Sequence, residues 1–522
     1  MRRKFLQKKP KPMSLKTPRD WDTALNQPLS SDLQQNMEIL KQLYANTLDV
    51  VFRSFQIAGS HSAKLVYLDN MADVARIDDQ VLKPLMETQD ITEKQLASVI
   101  EQYLPVASIQ TLQTFEDCIR EISSGNAILL VDKNDEATKI GLSQREKRQI
   151  KEPENEPVIR GPKEGFIESL PVNLSLIRQM IRAPQLKMKS LTVGTYTKTE
   201  IAAVYMETIA DHTLVEEVMN RLKRIRIDGV LESGYIEEFI EDNPYSPFPQ
   251  TKISERVDVA ASSLLEGRVV ILVNGSPTAL VVPASLTSLI QAADDYYNRF
   301  LFGSSFRILR FTSFFVSLFL PGFYVAVISF HQEMVPTDLL ISIAASREAI
   351  PFPTLVEAII MQLAFEVLRE AGLRLPRQVG SAVTIVGALV IGQAAVSAGF
   401  VSATMVIIIA VTGITSFTAP HYPLESAIRI LRFVLMFLAG TLGLLGLVFG
   451  MLAIFIHLCT LRSFGVPYLA PMAPAQKGEW EDTMVRAPWW KKTKRPHFTG
   501  EWNKYRVPPG QKPGPGKEGD DQ

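Results

Sequence analysis

The residues best suited to chemistry sit together on a segment that is neither cleanly apolar nor cleanly charged. After Pro351-Phe-Pro353 a helical pattern runs through Leu368, and on it Gln362, Glu366, Arg369 and Glu370 share one face at spacings of four and three or four. Ile359, Ile360, Leu363 and Val367 offer apolar surface on the same stretch. An ionisable side chain at membrane depth is costly when unpaired, so a carboxylate there is a functional candidate. Glu366 has three readings: it lines a cation path, it pairs with an arginine, or it lies at headgroup level. Gln362, Glu366 and Glu370 are the candidate pore or polar helix face.

A second candidate is the loop Glu156-Pro-Val-Ile-Arg160-Gly-Pro-Lys-Glu164-Gly-Phe166. Gly161 and Gly165 permit backbone angles that other residues avoid, while Pro157 and Pro162 restrict theirs, so the loop has a definite shape. It reads as an anion-binding loop or as a rigid joint between subdomains. The joint is the better reading, carried by Arg160, Gly161, Pro162, Glu164, Gly165 and Phe166. Asp69, Asp73 and Asp132 stand at or just after expected strand ends, where they serve as ligand groups or as turn formers bonding their own backbone. There is no phosphate loop, no G-x-G-x-x-G after a strand, no H-E-x-x-H and no G-x-S-x-G. His61, His212, His331, His421, His457 and His497 are scattered, so no catalytic, cofactor or metal site is assigned.

The elements that position these residues divide the chain in two. The 46% hydrophobic content and zero net charge average over a charged, patterned part up to about Arg310 and a lipid-compatible part from Phe311 to Leu461. Zero net charge offers no whole-chain attraction for nucleic acid. Cys118 and Cys459 alone make no disulfide framework, which fits a reducing interior around the N-terminal body. The opening MRRKFLQKKPKPMSLK is followed by Asp20, Asp22 and Asn26 rather than an apolar run, so residues 1–30 read as a basic disordered arm and not a cleavable signal.

Residues 31–143 form the first expected α/β subdomain. Met37, Leu40, Leu43, Tyr44 and Leu48 mark a helix that Ser31 or Asp32 caps; Lys64 to Leu68 and Asn126 to Val131 read as strands, with a helix at about Glu93 to Leu104. The charge-dense 144–157 is a linker. Residues 158–306 form the second α/β subdomain, with strands at Ser190 to Tyr196 and Ile201 to Met206 and a helix at Leu214 to Arg224. A hairpin follows, Arg268 to Val273 and Thr278 to Val282, turning at Asn274-Gly275. The fold class is thus an α/β soluble region of two subdomains followed by an α-helical polytopic membrane domain.

That membrane domain, 307–462, holds about five or six helices. Gln378 to Leu424 contains no Asp, Glu, Lys or Arg and would make roughly 70 Å of helix, over twice a hydrocarbon core of about 30 Å, so it crosses twice. Phe311 to Phe330 is one span, kinked or broken at Pro321-Gly322. Phe433 to Leu461 is either one tilted span or a hairpin broken near Gly440 to Gly446. Lys491, Lys492, Lys494 and Arg495 favour the hairpin, with 463–522 as an irregular cytoplasmic tail. Arg369, Arg374 and Arg377 crowd one loop, which the positive-inside rule makes cytoplasmic along with the N-terminal body. Ala388 and Gly392, Ala395 and Gly399, Ala439 and Gly443, and Gly446 and Gly450 fit small-xxx-small spacing, which lets helices approach closely in lipid.

In fixed order from about residue 35 to 496, these landmarks resemble the A subunit family of spore germinant receptors, the GerA-type spore germination proteins. The likeness rests on Glu156-Pro157 with Arg160-Gly-Pro-Lys-Glu164-Gly-Phe166, Pro351-Phe-Pro353, Phe365-Glu366, Leu368-Arg369-Glu370-Ala371-Gly372 and Leu375-Pro376. It continues through Ile385-Val386-Gly387, Ile391-Gly392, Ala394-Ala395-Val396, Val401-Ser402, Tyr468-Leu469-Ala470-Pro471 and Arg495-Pro496. The resemblance implies a multi-pass subunit of the spore inner membrane that needs no cofactor and works with a transporter-like, nutrient-binding B subunit and a lipoprotein C subunit. It implies a homo-oligomer around a nutrient-gated path for monovalent cations. Two other readings stand beside it: an accessory germination subunit like the stage V sporulation AF protein, without its own nutrient, and a membrane-tethered enzyme, which requires a catalytic constellation that the motifs do not supply.

Overall fold

The structure is a computed structural model describing residues 18–87, 109–143, 152–153, 155–374, 390, 392–475, 480–508 and 510–514. The start of the basic arm, the helix expected at Glu93 to Leu104, most of the linker's charged run, and the first leg of Gln378 to Leu424 with Ala388 lie outside the described residues.

The charged half forms two lobes. In the first, β1 (Val50–Ile57), β2 (His61–Leu68), β3 (Ile109–Leu112), β4 (Ala127–Val131) and β5 (Ala137–Ile140) pair in the order β1-β2-β4-β5-β3. In the second, β6 (Leu186–Val193), β7 (Thr199–Met206), β8 (Lys252–Ser254), β9 (Val269–Val273) and β10 (Ala279–Val282) pair in the order β6-β7-β9-β10-β8. The two orders are the same, offset by one lobe, so the lobes share a topology. Every pairing among these strands is antiparallel. The hairpin expected at Asn274-Gly275 is β9–β10, with Gly275 at φ +92°.

Helices cover both faces of each sheet. The first lobe has α1 (Leu33–Leu43) and α2 (Phe115–Ser123); the second has α3 (Leu170–Met180), α4 (His212–Arg224), α5 (Ser233–Ile240) and α6 (Val257–Leu264). Asp32 caps α1, its carboxylate accepting from the Gln34 amide at 2.8 Å. α1 and α2 pack on one face of the first sheet, with the helical turns of 74–87 behind it, and α3 and α6 on the corresponding face of the second, with α4 and α5 behind it. This double cover is why β4 and β9 read as unbroken apolar runs, Ala-Ile-Leu-Leu-Val and Val-Val-Ile-Leu-Val, buried throughout. A fully buried Val, Leu or Ile contributes about 1.5–3 kcal/mol, so these strands are the centre of each lobe's stability.

A bidentate ion pair clasps the lobes. Arg178 at the end of α3 donates through Nε and Nη2 to Asp49 at 3.0 and 3.1 Å, with both side chains buried. Beside it, Lys187 Nζ donates to the Leu43 carbonyl at 2.7 Å and stands 5.3 Å from the Trp21 ring.

The apolar half contains α7 (Phe300–Phe330), α8 (Thr337–Arg347), α9 (Thr354–Arg374), α10 (Ala403–Ser416) and α11 (Tyr422–Thr460). By length and composition α7 and α11 can each cross a membrane. α7 starts at Phe300 rather than Phe311 because Arg307 and Arg310 both pair with Asp295, at 3.3 and 2.7 Å, which lets the helix continue below its uncharged stretch. It also runs on through Pro321. α11 turns back at Gly443, at φ 63° and ψ −145°, within the interval Gly440 to Gly446. Its two arms lie side by side: a Cβ at Gly450 would stand 2.5 Å from Leu435, and one at Gly446 would strike the Leu438 carbonyl. The end of α11 therefore returns to its beginning, where Leu424, Ala427 and Ile428 share a core with Leu458 and Leu461.

The tail is irregular but docked. Ser463 Oγ donates to the Gln250 carbonyl at 2.7 Å, buried Tyr468 donates to the Pro249 carbonyl at 2.8 Å, and Arg495 Nε donates to the Leu265 carbonyl at 2.9 Å. These bonds strap residues 462–475 and 480–506 across the second lobe.

Candidate functional site

The helical half meets the lobes at an arginine-rich end. Glu366 on α9, mostly buried, accepts from Gln362 Nε2 at 2.9 Å and from Arg429 Nη1 at 3.2 Å, while Arg432 Nη1 stands 3.9 Å away. Arg369, one turn further on, pairs with Glu425 and lies over the Phe417 ring at 4.4 Å. Arg429 also donates to the Tyr422 hydroxyl at 3.2 Å and to Ser426 Oγ at 2.9 Å. Three guanidiniums and two carboxylates thus tie α9 to α11.

Arg432, fully buried, extends the knot to α7. Its Nε donates to the Ser317 carbonyl at 2.7 Å. That carbonyl is four residues before Pro321, which has no amide hydrogen to give it. The proline opens an acceptor inside the helix, and an arginine from another helix fills it.

Of the expected polar face, Gln362 and Glu366 belong to this knot. Glu370 does not: its side chain is 55% exposed and pairs with Arg374 at 2.6 Å. The expectation overlooked Glu425 and Arg432. Their signal was present, since Glu425, Arg429 and Arg432 repeat the four-then-three spacing of Gln362, Glu366 and Arg369. It also overlooked Glu357 at the opposite end of α9. This fully buried carboxylate accepts from the Ser402 amide at 2.6 Å and its hydroxyl at 2.5 Å, with Arg347 Nε at 3.6 Å. It thereby meets the start of α10, where backbone amides are otherwise unsatisfied.

The shaped loop runs from the second lobe to the segments that enter the helices. Glu156 accepts from Ser254 Oγ at 2.6 Å and the Glu255 amide at 3.1 Å, and lies 3.4 Å from Nδ1 of His421, which precedes α11. Buried Arg256 donates to the Pro162 carbonyl at 2.9 Å while pairing with Asp258 at 2.7 Å. Gly161, at φ +139°, sits against the Tyr297 ring, where a Cβ would approach within 2.7 Å. Arg160, Pro162 and Glu164 are exposed; Gly165 and Phe166 are buried, and Phe166 joins the α3–α6 core. Burial pushes the Glu156 carboxyl up and pulls the Lys252 ammonium beside it down to about 8. Asp73 caps a short helix by accepting from the Arg76 amide at 3.1 Å, and Asp132 accepts from the Leu33 amide at 3.4 Å. No group of three or more His, Cys, Asp or Glu that could hold a metal occurs among the described residues.

A two-lobed body strapped to apolar helices, with charged side chains concentrated where the two meet, defines a membrane-associated protein whose polar apparatus lies at the junction. The chain belongs to the GerA family: the family model described as Bacillus/Clostridium GerA spore germination protein matches residues 38–498. It is 44% identical over 473 residues to the uncharacterized membrane protein YfkQ of Bacillus subtilis (strain 168), covering 90% of this chain and 92% of that one. To spore germination protein KA of the same organism it is 42% identical over 490 residues, covering 93% and 90%. A crystal structure of the N-terminal domain of the A subunit of the Bacillus megaterium spore germinant receptor GerK3 aligns at TM-score 0.41 and 32% identity, covering 50% of this chain and 97% of that one. Both the family description and the KA relative carry a role in spore germination in their names.

Proposed function

We propose that this chain is the A subunit of a nutrient germinant receptor in the spore inner membrane, and that copies of it assemble around a path for monovalent cations. The observation that carries the reading is the family match across residues 38–498, which takes in both lobes, the helices and most of the tail. The geometry supports it in two ways. The arginine-rich helix ends and the lobes share one side, so the positive-inside rule makes the lobes cytoplasmic. The turn at Gly443 brings the tail back to that side, in keeping with six crossings. The Gln362–Glu366 face is the polar seam beside the cation path. The Glu156–Phe166 loop passes motion of the second lobe to Tyr297, through Gly161, and to His421, through Glu156, and hence to α7 and α11. Glu366 has both Arg429 and Arg432 within reach, so a shift of α11 against α9 exchanges one partner for the other. At the family level the partners are a B subunit that takes the nutrient and a lipoprotein C subunit.

Ion flux into liposomes holding this chain with its B and C partners tests the reading. Potassium flux that follows a nutrient is the expected result. Flux that ignores every nutrient favours the accessory role, and no flux from an assembled complex overturns the channel.

A further inference from the structure

The two arms of α11 do not close completely. Between them runs an apolar groove of about 280 Å³. Leu431, Val434 and Leu438 of the first arm form one wall, and Ala453 and Ile454 of the second form the other. At the floor the arms touch, since a Cβ at Gly450 would stand 2.5 Å from Leu435. The second lobe borders one end. Phe248, from the segment before β8, shares a core with Leu435 and Leu458 and brings its ring 6.2 Å from that of His457. Beside it, Ser246 Oγ and His457 Nε2 are hydrogen-bonded at 2.9 Å.

The chemistry and width of the groove narrow its occupant. Among the described residues that line it, His457 alone has a polar side chain, and Ser246 engages it, so the ligand is apolar. Val434 and Ala453 are exposed, which opens the groove outward on a helix fit to cross a membrane. Spread over the rise from Leu431 to Leu438, about 10 Å, the volume gives a cross-section of roughly 28 Å². A helix about 10 Å across does not enter such a slot, whereas a single methylene chain does. Gly450 offers no seat to a neighbouring helix, because Leu435 already fills its approach. Hydrocarbon supplies no water, and an empty slot forfeits dispersion contacts with its walls. We propose that the groove holds one acyl chain of a membrane phospholipid, lying between the arms of α11 with its headgroup toward Ser246. Tyr245, 97% exposed, marks the interfacial level at that end. The chain touches both arms and Phe248, and so completes the contact between the second lobe and α11. The inference rests on the membrane placement of α11 and not on the channel reading.

The test places the full chain in phosphatidylcholine–phosphatidylglycerol liposomes doped with a phosphatidylcholine that carries a photoactivatable diazirine along one acyl chain. Irradiation, digestion and mass spectrometry then locate the label. It should concentrate on Val434, Leu438, Ala453 and Ile454, above Phe437, Leu452 and Phe455, which are exposed at the same level of the helix. Ala453→Phe, which fills the groove, should lose the groove label and keep that on Phe437 and Phe455. Label shared evenly between groove and outer residues, or groove label that survives Ala453→Phe, overturns the site. Label on the outer residues with none in the groove assigns it to a covering protein segment and overturns the lipid. The distribution on the unaltered chain decides by itself, so a misfolded variant leaves the outcome readable. Nutrient-gated flux with even labelling sinks this inference alone, and groove labelling without flux sinks the channel alone.

Discussion

Arg432 and Pro321 should be thermodynamically coupled, although one sits on α11 and the other on α7. Arg432→Met leaves Glu366 with Arg429 at 3.2 Å but strips the Ser317 carbonyl of its donor. An orphaned buried acceptor costs about 1–3 kcal/mol. Breaking a buried ion pair outright costs about 3–5 kcal/mol, but Glu366 keeps Arg429 as its nearer partner, so the carbonyl sets the cost of the single change at about 1–3 kcal/mol or more. In the Pro321→Ala background the backbone amide that the substitution restores can donate to Ser317 itself, closing the helix. There, Arg432→Met should cost less by about 1–3 kcal/mol, the worth of the orphaned carbonyl. The four proteins of this cycle can be compared by urea unfolding of the full chain in mixed micelles, followed by circular dichroism. If the two changes add within about 0.5 kcal/mol, the exchange of donors at Ser317 is not what Arg432 does.

The two acidic residues of the α9 face should separate. Glu366→Gln removes the carboxylate that Arg429 and Arg432 both approach, so it should lower stability and alter cation flux or selectivity in the reconstituted receptor. Glu370→Gln, at an exposed i,i+4 pair, should change stability by no more than about 0.5 kcal/mol and leave flux alone. A Glu370 variant with the larger flux defect would overturn the assignment of the polar seam. In the second lobe, burial pushes the Glu237 carboxyl from 4.5 up to about 7, against the opposing hydrogen bond from Thr251. Between those values the folded chain keeps a proton that the unfolded chain has released, so stability falls as pH rises through the window and levels off above it. Melting curves from pH 4 to 8 should show that decline flattened in Glu237→Gln; a decline of undiminished slope would remove Glu237 as its cause.

Local physics made much of the architecture legible before any contact was known. The Asn274-Gly275 turn, the apolar runs of β4 and β9, the α4 face and the break within Gly440 to Gly446 all depend on backbone freedom or on side-chain period over a few residues. The placement of polar groups on α9 was legible for the same reason, because three- and four-residue spacing fixes a helical face. The match of strand order between the lobes was not, since it resides in pairings between strands rather than in any one of them. Nor was the docking of the tail, whose Pro- and Lys-rich composition reads as loose chain until Tyr468 and Arg495 are seen bonded to carbonyls of the second lobe. Tertiary structure alone decided which charge meets which. Glu366 and Arg429 are 63 residues apart and Ser317 and Arg432 are 115, and at such separations nothing in the backbone selects a partner. Packing brings the helices together first, and the cost of leaving a buried charge or carbonyl unpaired then determines the pairing.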